Sequence, residues 1–285
     1  MTVLVFGRTG QVATELSRLA PDAICLGRDS ADLEHPESAA AVIADRAPAV
    51  VINAAAFTAV DRAETEERLA TRINAVAPAA MAQACAAANI PLVHISTDYV
   101  FDGKGTAPFT PDDVTGPLGA YGRSKLAGER AIRDSGATHA ILRTAWVFSA
   151  HGGNFLKTML RLSETRAALS IVDDQIGGPT PAADIAAACL TIADRLRKDP
   201  ACGGTYHFTG APDVSWKGFA EAIFDAAGRD VTVTGIPTKD YPTPAVRPLN
   251  SRLDCSSTEA AFGLARPDWR ATLPRILNEL GVSTT

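Results

Sequence analysis

The sequence carries no run of lysine and arginine, and its 27 basic and 32 acidic side chains leave a net charge of −5. Nucleic acid and anionic membranes therefore find no electrostatic footprint on it. No apolar segment reaches about 18 residues without polar interruption, which argues against a membrane span. The amino terminus lacks a charged segment, a long apolar segment and a cleavage site, so a signal peptide is not expected. The five cysteines (Cys25, Cys85, Cys189, Cys202, Cys255) are scattered, odd in number and without Cys-x-x-Cys spacing. Reduced thiols in a cytoplasmic protein are the expectation. The five histidines are equally dispersed, and no metal-ligand spacing appears. Internal repeats and low-complexity tails are also missing.

What is present is ordinary globular composition, with 285 residues, 46% hydrophobic and 21% charged. That length allows one large domain or two modest ones, with ample chain for a core. Val3-Leu4-Val5-Phe6 is a short apolar run, followed at once by Gly7-Arg8-Thr9-Gly10-Gln11-Val12-Ala13. Leu16, Leu19 and Ala20 continue at helical spacing. The order strand, glycine turn, helix is what a dinucleotide requires: glycines let the backbone pass close to a pyrophosphate held at a helix N-terminus. Ala13 stands where a third glycine would allow close helix–strand packing. The plainer alternative is a glycine turn with no ligand.

Strand and helix signals then alternate. Strands are predicted at 23–26, 49–53, 91–96 and 139–143, with helices at 36–46, 61–89 (in one or two pieces) and 121–135. Continuous apolar strands separated by helices predict a parallel sheet covered on both faces. Beyond residue 150 the pattern loosens into helices at 154–165, 182–198, 216–227, 257–262 and 273–280. Strands are predicted there at 169–172, 205–208 and 231–236, with a Pro-rich stretch at 237–248. A smaller mixed C-terminal portion is expected, part of it returning to the first sheet.

Tyr121 and Lys125 lie four apart, on one face of a predicted helix. A lysine ammonium favours a nearby phenolate, so the Tyr121 pKa is expected to fall towards the working pH. Such a tyrosine can give a proton to a carbonyl oxygen. The same spacing recurs by chance in helices, so its weight comes from context. The fourth strand ends in Ser96-Thr97-Asp98-Tyr99, where ligands of open α/β sheets sit. Thr97 or Ser96 can there donate to a substrate carbonyl, or merely cap the strand end. The third strand ends in Asn53-Ala54-Ala55-Ala56, small enough for a ligand to lie on the backbone or simply to pack. Asn74, inside a predicted helix, reads as a surface residue rather than a polar link to the site. The second strand ends in Gly27-Arg28 rather than an acid. With Arg8 in the glycine turn this favours the 2′-phosphate of NADP over NAD, unless both arginines are simply solvated.

These pieces resemble the extended short-chain dehydrogenase/reductases and, within them, the dTDP-4-dehydrorhamnose reductase family. The resemblance covers most of the chain. Gly7-Arg8-Thr9-Gly10-Gln11 and Tyr121-x-x-x-Lys125 are shared with the whole superfamily. Ser96-Thr97-Asp98-Tyr99-Val100-Phe101-Asp102-Gly103 and Asp174-Gln175-Ile176-Gly177-Gly178-Pro179-Thr180 are far more specific. Asn53 to Asp61, Arg143 to Phe148, Asn154-Phe155 and Arg247 to Ser251 extend it.

The resemblance implies a doubly wound Rossmann-type sheet. Residues 1–150 would form an NADP-binding portion, with return segments near 179–200 and 230–255. Residues 151–285 would mainly hold a nucleotide-sugar. It implies NADPH, with NADH possible, held by Gly7, Arg8, Thr9, Gly10, Gln11, Val12, Arg28, Asp32, Leu33, Ala54, Ala55, Ala56, Thr58, Tyr121 and Lys125. Hydride would go to C4 of a dTDP-4-keto-6-deoxy sugar, yielding dTDP-L-rhamnose for cell-envelope glycans. Tyr121 would protonate the alkoxide, Lys125 would lower the phenol pKa and hold the ribose, and Thr97 would polarise the carbonyl. Trp146, Asp98 and Tyr99 would line the sugar pocket. Asn154, Gln175, Thr180 and Arg247 would hold the nucleotide diphosphate, with Arg247 as charge partner. Trp146 as core and Arg247 as surface are the plainer alternatives.

Phe57 departs from the family, which often has tyrosine there. Some relatives bridge dimers with magnesium; Glu15 is available, but Ala182-Ala183 supply no obvious acidic partner. No metal is therefore expected, and a monomer and a homodimer both stay open. A nucleotide-sugar epimerase or dehydratase, or a cofactor-binding regulatory subunit, are the competing functions.

Overall fold

The computed structural model describes residues 2–282, so Met1 and residues 283–285, at the ends of the two expected portions, lie outside it. Six strands form an open, wholly parallel sheet. Their spatial order is Gly204–His207, His139–Thr144, Leu92–Thr97, Val50–Asn53, Val3–Phe6, Ile24–Leu26. This is the doubly wound, Rossmann-like architecture expected. Alternate strand residues feed opposite faces, as a period of two requires. Leu4, Phe6, Val51, Leu92 and Ile141 pack under the helices Pro36–Arg46, Ala77–Ala88 and Ala120–Asp134. Val3, Val5, Val50, Ile52, Val93 and Leu142 pack under Gln11–Leu19 and Ala182–Lys198. Burial on both faces is why these strands read as unbroken apolar runs.

The strand Val3–Phe6 lies between Ile24–Leu26 and Val50–Asn53. Chain direction across the sheet therefore reverses at its carboxyl end, the usual place for a ligand crevice.

The helical stretch predicted at 61–89 is broken into Val60–Ala63, Glu67–Thr71, a five-residue π-helical turn Arg72–Val76, and Ala77–Ala88. The helix Ala120–Asp134 approaches that π-helical turn so closely that a Cβ on Gly128 would lie 2.1 Å from the Asn74 carbonyl oxygen.

The C-terminal portion has a core of its own. Phe148, Leu156, Phe219, Phe224, Trp269 and Leu277 join the helices Phe155–Ser163, Trp216–Ala226 and Trp269–Glu279. Of the expected return segments, Ala182–Lys198 covers the large sheet; Gly204–His207, outside both of them, extends it. The strand Thr232–Ile236 does not return: it pairs in parallel with Ala168–Val172. Its half-exposed pattern suits a two-stranded ribbon on a helix layer better than the buried interior of a sheet. Asn250–Ser251 pairs with Ile176–Gly177, and the stretch touches the first portion through Ser251 to Asp98 and a bridge of Leu253 to Phe109 without joining the large sheet. No helix among the described residues is long and apolar enough to cross a membrane.

Candidate active site

A cavity of about 680 Å³ opens at the reversal point. Gly7 makes its floor, at φ +122°, a value that glycine alone adopts readily. A Cβ there would stand 3.1 Å from Ala13 Cβ and 3.3 Å from the Ala54 backbone. Ala13, fully buried, is thus already as large as the helix–strand contact tolerates. Gly10 precedes the helix Gln11–Leu19 with no side-chain cap, leaving the first-turn N–H groups to serve an anion. Every residue expected to touch a cofactor lines this cavity, from the Gly7–Val12 turn through Arg28, Asp32, Leu33, Ala54–Ala56 and Thr58 to Tyr121 and Lys125. Arg8 folds over Gly27 and pairs with Asp29 at 2.9 Å, which holds the Asp29 carboxyl below its usual range. Arg28 is exposed beside it.

The opposite wall carries the proton-bearing groups. Tyr121 and Lys125 sit in the first turns of the helix Ala120–Asp134, and Thr97 ends the strand Leu92–Thr97. All three line the cavity with Asp98, Tyr99 and Trp146. Thr97 Oγ1 donates to Asp98 Oδ1 at 3.0 Å and accepts from the Tyr99 N–H at 3.2 Å. Ser251 donates to the other Asp98 oxygen at 2.5 Å. Burial pushes the Asp98 carboxyl up to about 6, with the Ser251 and Thr97 hydrogen bonds opposing. Ser96, the alternative hydroxyl, is committed elsewhere, donating to Glu129 at 2.6 Å. Glu129 in turn is paired in the core with Arg143 at 2.7 Å.

The expected acidification of Tyr121 by Lys125 is not found. Burial raises the phenol pKa, the Asp98 carboxylate raises it further, and a Thr97 hydrogen bond only partly offsets them. Lys125 Nζ is turned away, donating to the Ile95 carbonyl at 2.7 Å and lying 3.1 Å from His94 Nε2. With the Lys125 nitrogen so engaged, desolvation dominates the phenol.

Other expectations change too. Asn74 is buried, not on the surface. It clamps Phe57, accepting from its N–H at 2.8 Å and donating to its carbonyl at 3.0 Å, and donates to Ser124 Oγ at 3.0 Å. Four residues expected at the nucleotide diphosphate do not line the cavity. Asn154 caps the helix Phe155–Ser163 and donates to Gln11 Oε1 at 2.9 Å. Thr180 is fully buried, bonding Gly178 and Gly210. Gln175 accepts from Trp216 Nε1 at 3.1 Å and donates to Thr238 Oγ1 at 3.1 Å. Arg247 makes a two-pronged pair with Asp61, at 3.0 and 2.9 Å. In each case a nearer protein partner satisfies the side chain.

Trp146 does face the cavity, at a left-handed φ of +50°. Trp216 stacks on it, centroids 3.5 Å apart and planes within 10°. Nothing in the spacing of the sequence announced Trp216. The histidines and acids, dispersed in sequence, meet at Glu15, His151 and Glu279, whose ligand atoms lie within 4.8 Å of one another. Glu279 thus supplies the acidic neighbour that the sequence did not reveal, but Arg18 already answers Glu279 at 2.6 Å and Glu15 at 3.7 Å.

The RmlD substrate binding domain family model matches residues 1–282. The dTDP-4-dehydrorhamnose reductase of Sinorhizobium fredii is 42% identical over 286 residues, spanning 97% of each chain. A crystal structure of a dTDP-4-dehydrorhamnose reductase from Clostridium acetobutylicum superposes with a TM-score of 0.93 at 35% identity, covering 99% of this chain and 100% of the other. The Bacillus anthracis dTDP-4-dehydrorhamnose reductase, in complex with NADP, gives a TM-score of 0.90 at 33% identity, covering 98% and 99%.

Proposed function

The chain belongs to the RmlD substrate binding domain family, and on that premise we propose that it reduces the C4 ketone of dTDP-4-dehydrorhamnose with NADPH, giving dTDP-L-rhamnose. One observation carries the reading: the glycine floor and the Thr97–Tyr121–Lys125 wall face one another across a single cavity. A dinucleotide suits that floor, because the space a Cβ on Gly7 would take is left open beside uncapped helix N–H groups. Bound there, a nicotinamide supplies the hydride. The Gly7–Val12 turn holds the pyrophosphate, and Arg8 and Arg28 favour a 2′-phosphate. Lys125 holds the nicotinamide ribose and, as an ammonium freed from Ile95, lowers the phenol pKa.

Tyr121 gives its proton to the alkoxide oxygen that forms as hydride reaches C4. Thr97 turns its hydroxyl from Asp98 to the carbonyl oxygen. Trp146, backed by Trp216, offers a flat apolar face to the sugar, with Asp98 and Tyr99 beside it. Gln175 acts through Trp216, Asn154 through Gln11, and Thr180 through the Gly178–Gly210 contact. Arg247 meets the diphosphate by exchanging Asp61 for it. Residues 1–150, with the covering helix and sixth strand, hold the cofactor, and most of 151–285 shapes the sugar end. The reaction assigns no role to a metal ion. We place the enzyme in the cytoplasm, as monomer or homodimer, with no nucleic-acid partner.

The test is an assay with dTDP-4-keto-6-deoxyglucose, a 3,5-epimerase and NADPH or NADH, reading cofactor consumption and product stereochemistry. Tightly bound NAD with no net consumption would replace the reductase by an epimerase. Tyr121→Phe is expected to lower turnover at least about a hundredfold through loss of the general acid, with NADPH affinity kept. Unchanged turnover would remove Tyr121 from the mechanism.

A further inference from the structure

Behind Tyr121 runs a buried polar chain. The Ala55 N–H donates to Asn53 Oδ1 at 3.1 Å, Asn53 Nδ2 lies 3.0 Å from His94 Nδ1, and His94 Nε2 lies 3.1 Å from Lys125 Nζ. Asn53 and His94 are each 1% exposed and Lys125 2%, so these groups depend on one another and, for Lys125, on the Ile95 carbonyl to satisfy them.

The protons along this chain follow from the one group whose role is not open. A backbone N–H only donates, so Ala55 holds the Asn53 oxygen on its own side. The Asn53 NH₂ must then face His94, and His94 Nδ1 must accept from it. An imidazolium, which donates from both nitrogens, does not fit. The ring is neutral and carries its proton on Nε2, pointing at Lys125 Nζ. An ammonium has three donors and no acceptor, so it would meet that N–H donor to donor. A neutral amine has a lone pair for His94 and still donates to the Ile95 carbonyl.

We propose that His94, oriented by Asn53, is a positioning residue that favours the neutral amine of Lys125 in the cofactor-free protein, so that at mildly alkaline pH Lys125 takes up a proton as it turns to the dinucleotide. The consequence for catalysis rests on the reductase reading; the hydrogen-bond assignment does not.

The charges around the chain agree. Burial lowers Lys125 to about 8, and only Glu129, one turn further along the same helix, opposes. Burial also holds His94 well below its ordinary value, and any positive charge on Lys125 or on His139 of the neighbouring strand holds it lower still. Tyr121, on the helix of Lys125, and Asp98, just beyond the strand that carries His94, line the cavity together with Lys125.

Two measurements test this. In the whole protein labelled with ¹⁵N-histidine, the His94 signal, assigned by its loss in His94→Gln, should show a bare Nδ1 and a protonated Nε2. A proton on Nδ1, or on both nitrogens at neutral pH, overturns the proposal whatever the enzyme reduces. Second, NADPH binding measured calorimetrically at mildly alkaline pH, in buffers of different ionisation enthalpy, should be accompanied by uptake of a sizeable fraction of a proton. Asn53→Asp offers His94 Nδ1 an acceptor instead of a donor. The ring proton moves to Nδ1, Nε2 becomes free to accept from an ammonium, and the uptake should fall by at least about half. A purely structural role would weaken binding without changing the proton count, and an unchanged count overturns the proposal. Failure to bind NADPH at all would instead overturn the reductase reading, while the histidine spectrum still judges the tautomer.

Discussion

Glu129→Ala should cost more stability than any surface change in this chain. Glu129 is fully buried and Arg143 is 2% exposed. Their pairing is two-pronged, Arg143 Nε and Nη2 reaching the two carboxylate oxygens at 2.9 and 2.7 Å. Ser96 adds 2.6 Å and Arg133 3.2 Å on the same carboxylate. Removing the acid leaves the guanidinium in the core with the Pro111 carbonyl at 3.1 Å as its main oxygen partner. An uncompensated buried charge of this kind costs about 3–5 kcal/mol. For a chain of this size that lowers the melting temperature by roughly 10 °C. Replacing both partners, as Glu129→Leu with Arg143→Met, should recover more than half of the loss, because no charge is then stranded.

The pH dependence has a definite sign. Burial by itself would raise the Glu129 pKa, but Arg143, Ser96 and Arg133 hold it below its ordinary value. A carboxylate lowered on folding stabilises above its unfolded pKa, and that contribution is lost as pH falls through the folded pKa. Urea unfolding of wild type and variants at neutral and acid pH measures both effects. A loss below about 1 kcal/mol at neutral pH, the range of an exposed ion pair, would refute the reasoning.

Three further outcomes are expected. Gly128→Ala drives a methyl into the Asn74 carbonyl and should cost about 3 kcal/mol by overpacking, read in the same urea experiment; a neutral result would mean that the helix and the π-helical turn can part freely. Trp216→Leu removes the partner stacked on Trp146, so KM for the sugar nucleotide should rise about threefold to tenfold, the value of one aromatic pair. NADPH affinity should be unchanged, and an unchanged KM would detach Trp216 from the site. Arg28→Ala should raise KM for NADPH about tenfold while leaving NADH alone; equal effects on both cofactors would place Arg28 away from the 2′-phosphate.

Some features could be read locally because their physics is local. A glycine turn between a strand and a helix, or Tyr121 and Lys125 four apart, is decided within one element, where spacing translates directly into geometry. The unbroken apolar strands likewise announced a sheet buried on both faces. Contacts between elements obey no such spacing. Arg247 meets Asp61 across 186 residues, Asn74 meets Ser124 across 50, and Trp216 covers Trp146 only because two distant segments pack together. Asn74 shows the cost of reading by type alone: polar residues inside helices usually face water, and this one is buried because Gly128 lets a second helix close over it.

By itself the sequence determined the parallel sheet, the glycine floor and the presence of Thr97, Tyr121 and Lys125 on the facing wall of the cavity. Only the tertiary structure decided their electrical state. Tyr121 is raised, not lowered, because burial outweighs a lysine whose nitrogen is held by Ile95 and His94. Desolvation depends on everything packed around a group, and no spacing along the chain records it.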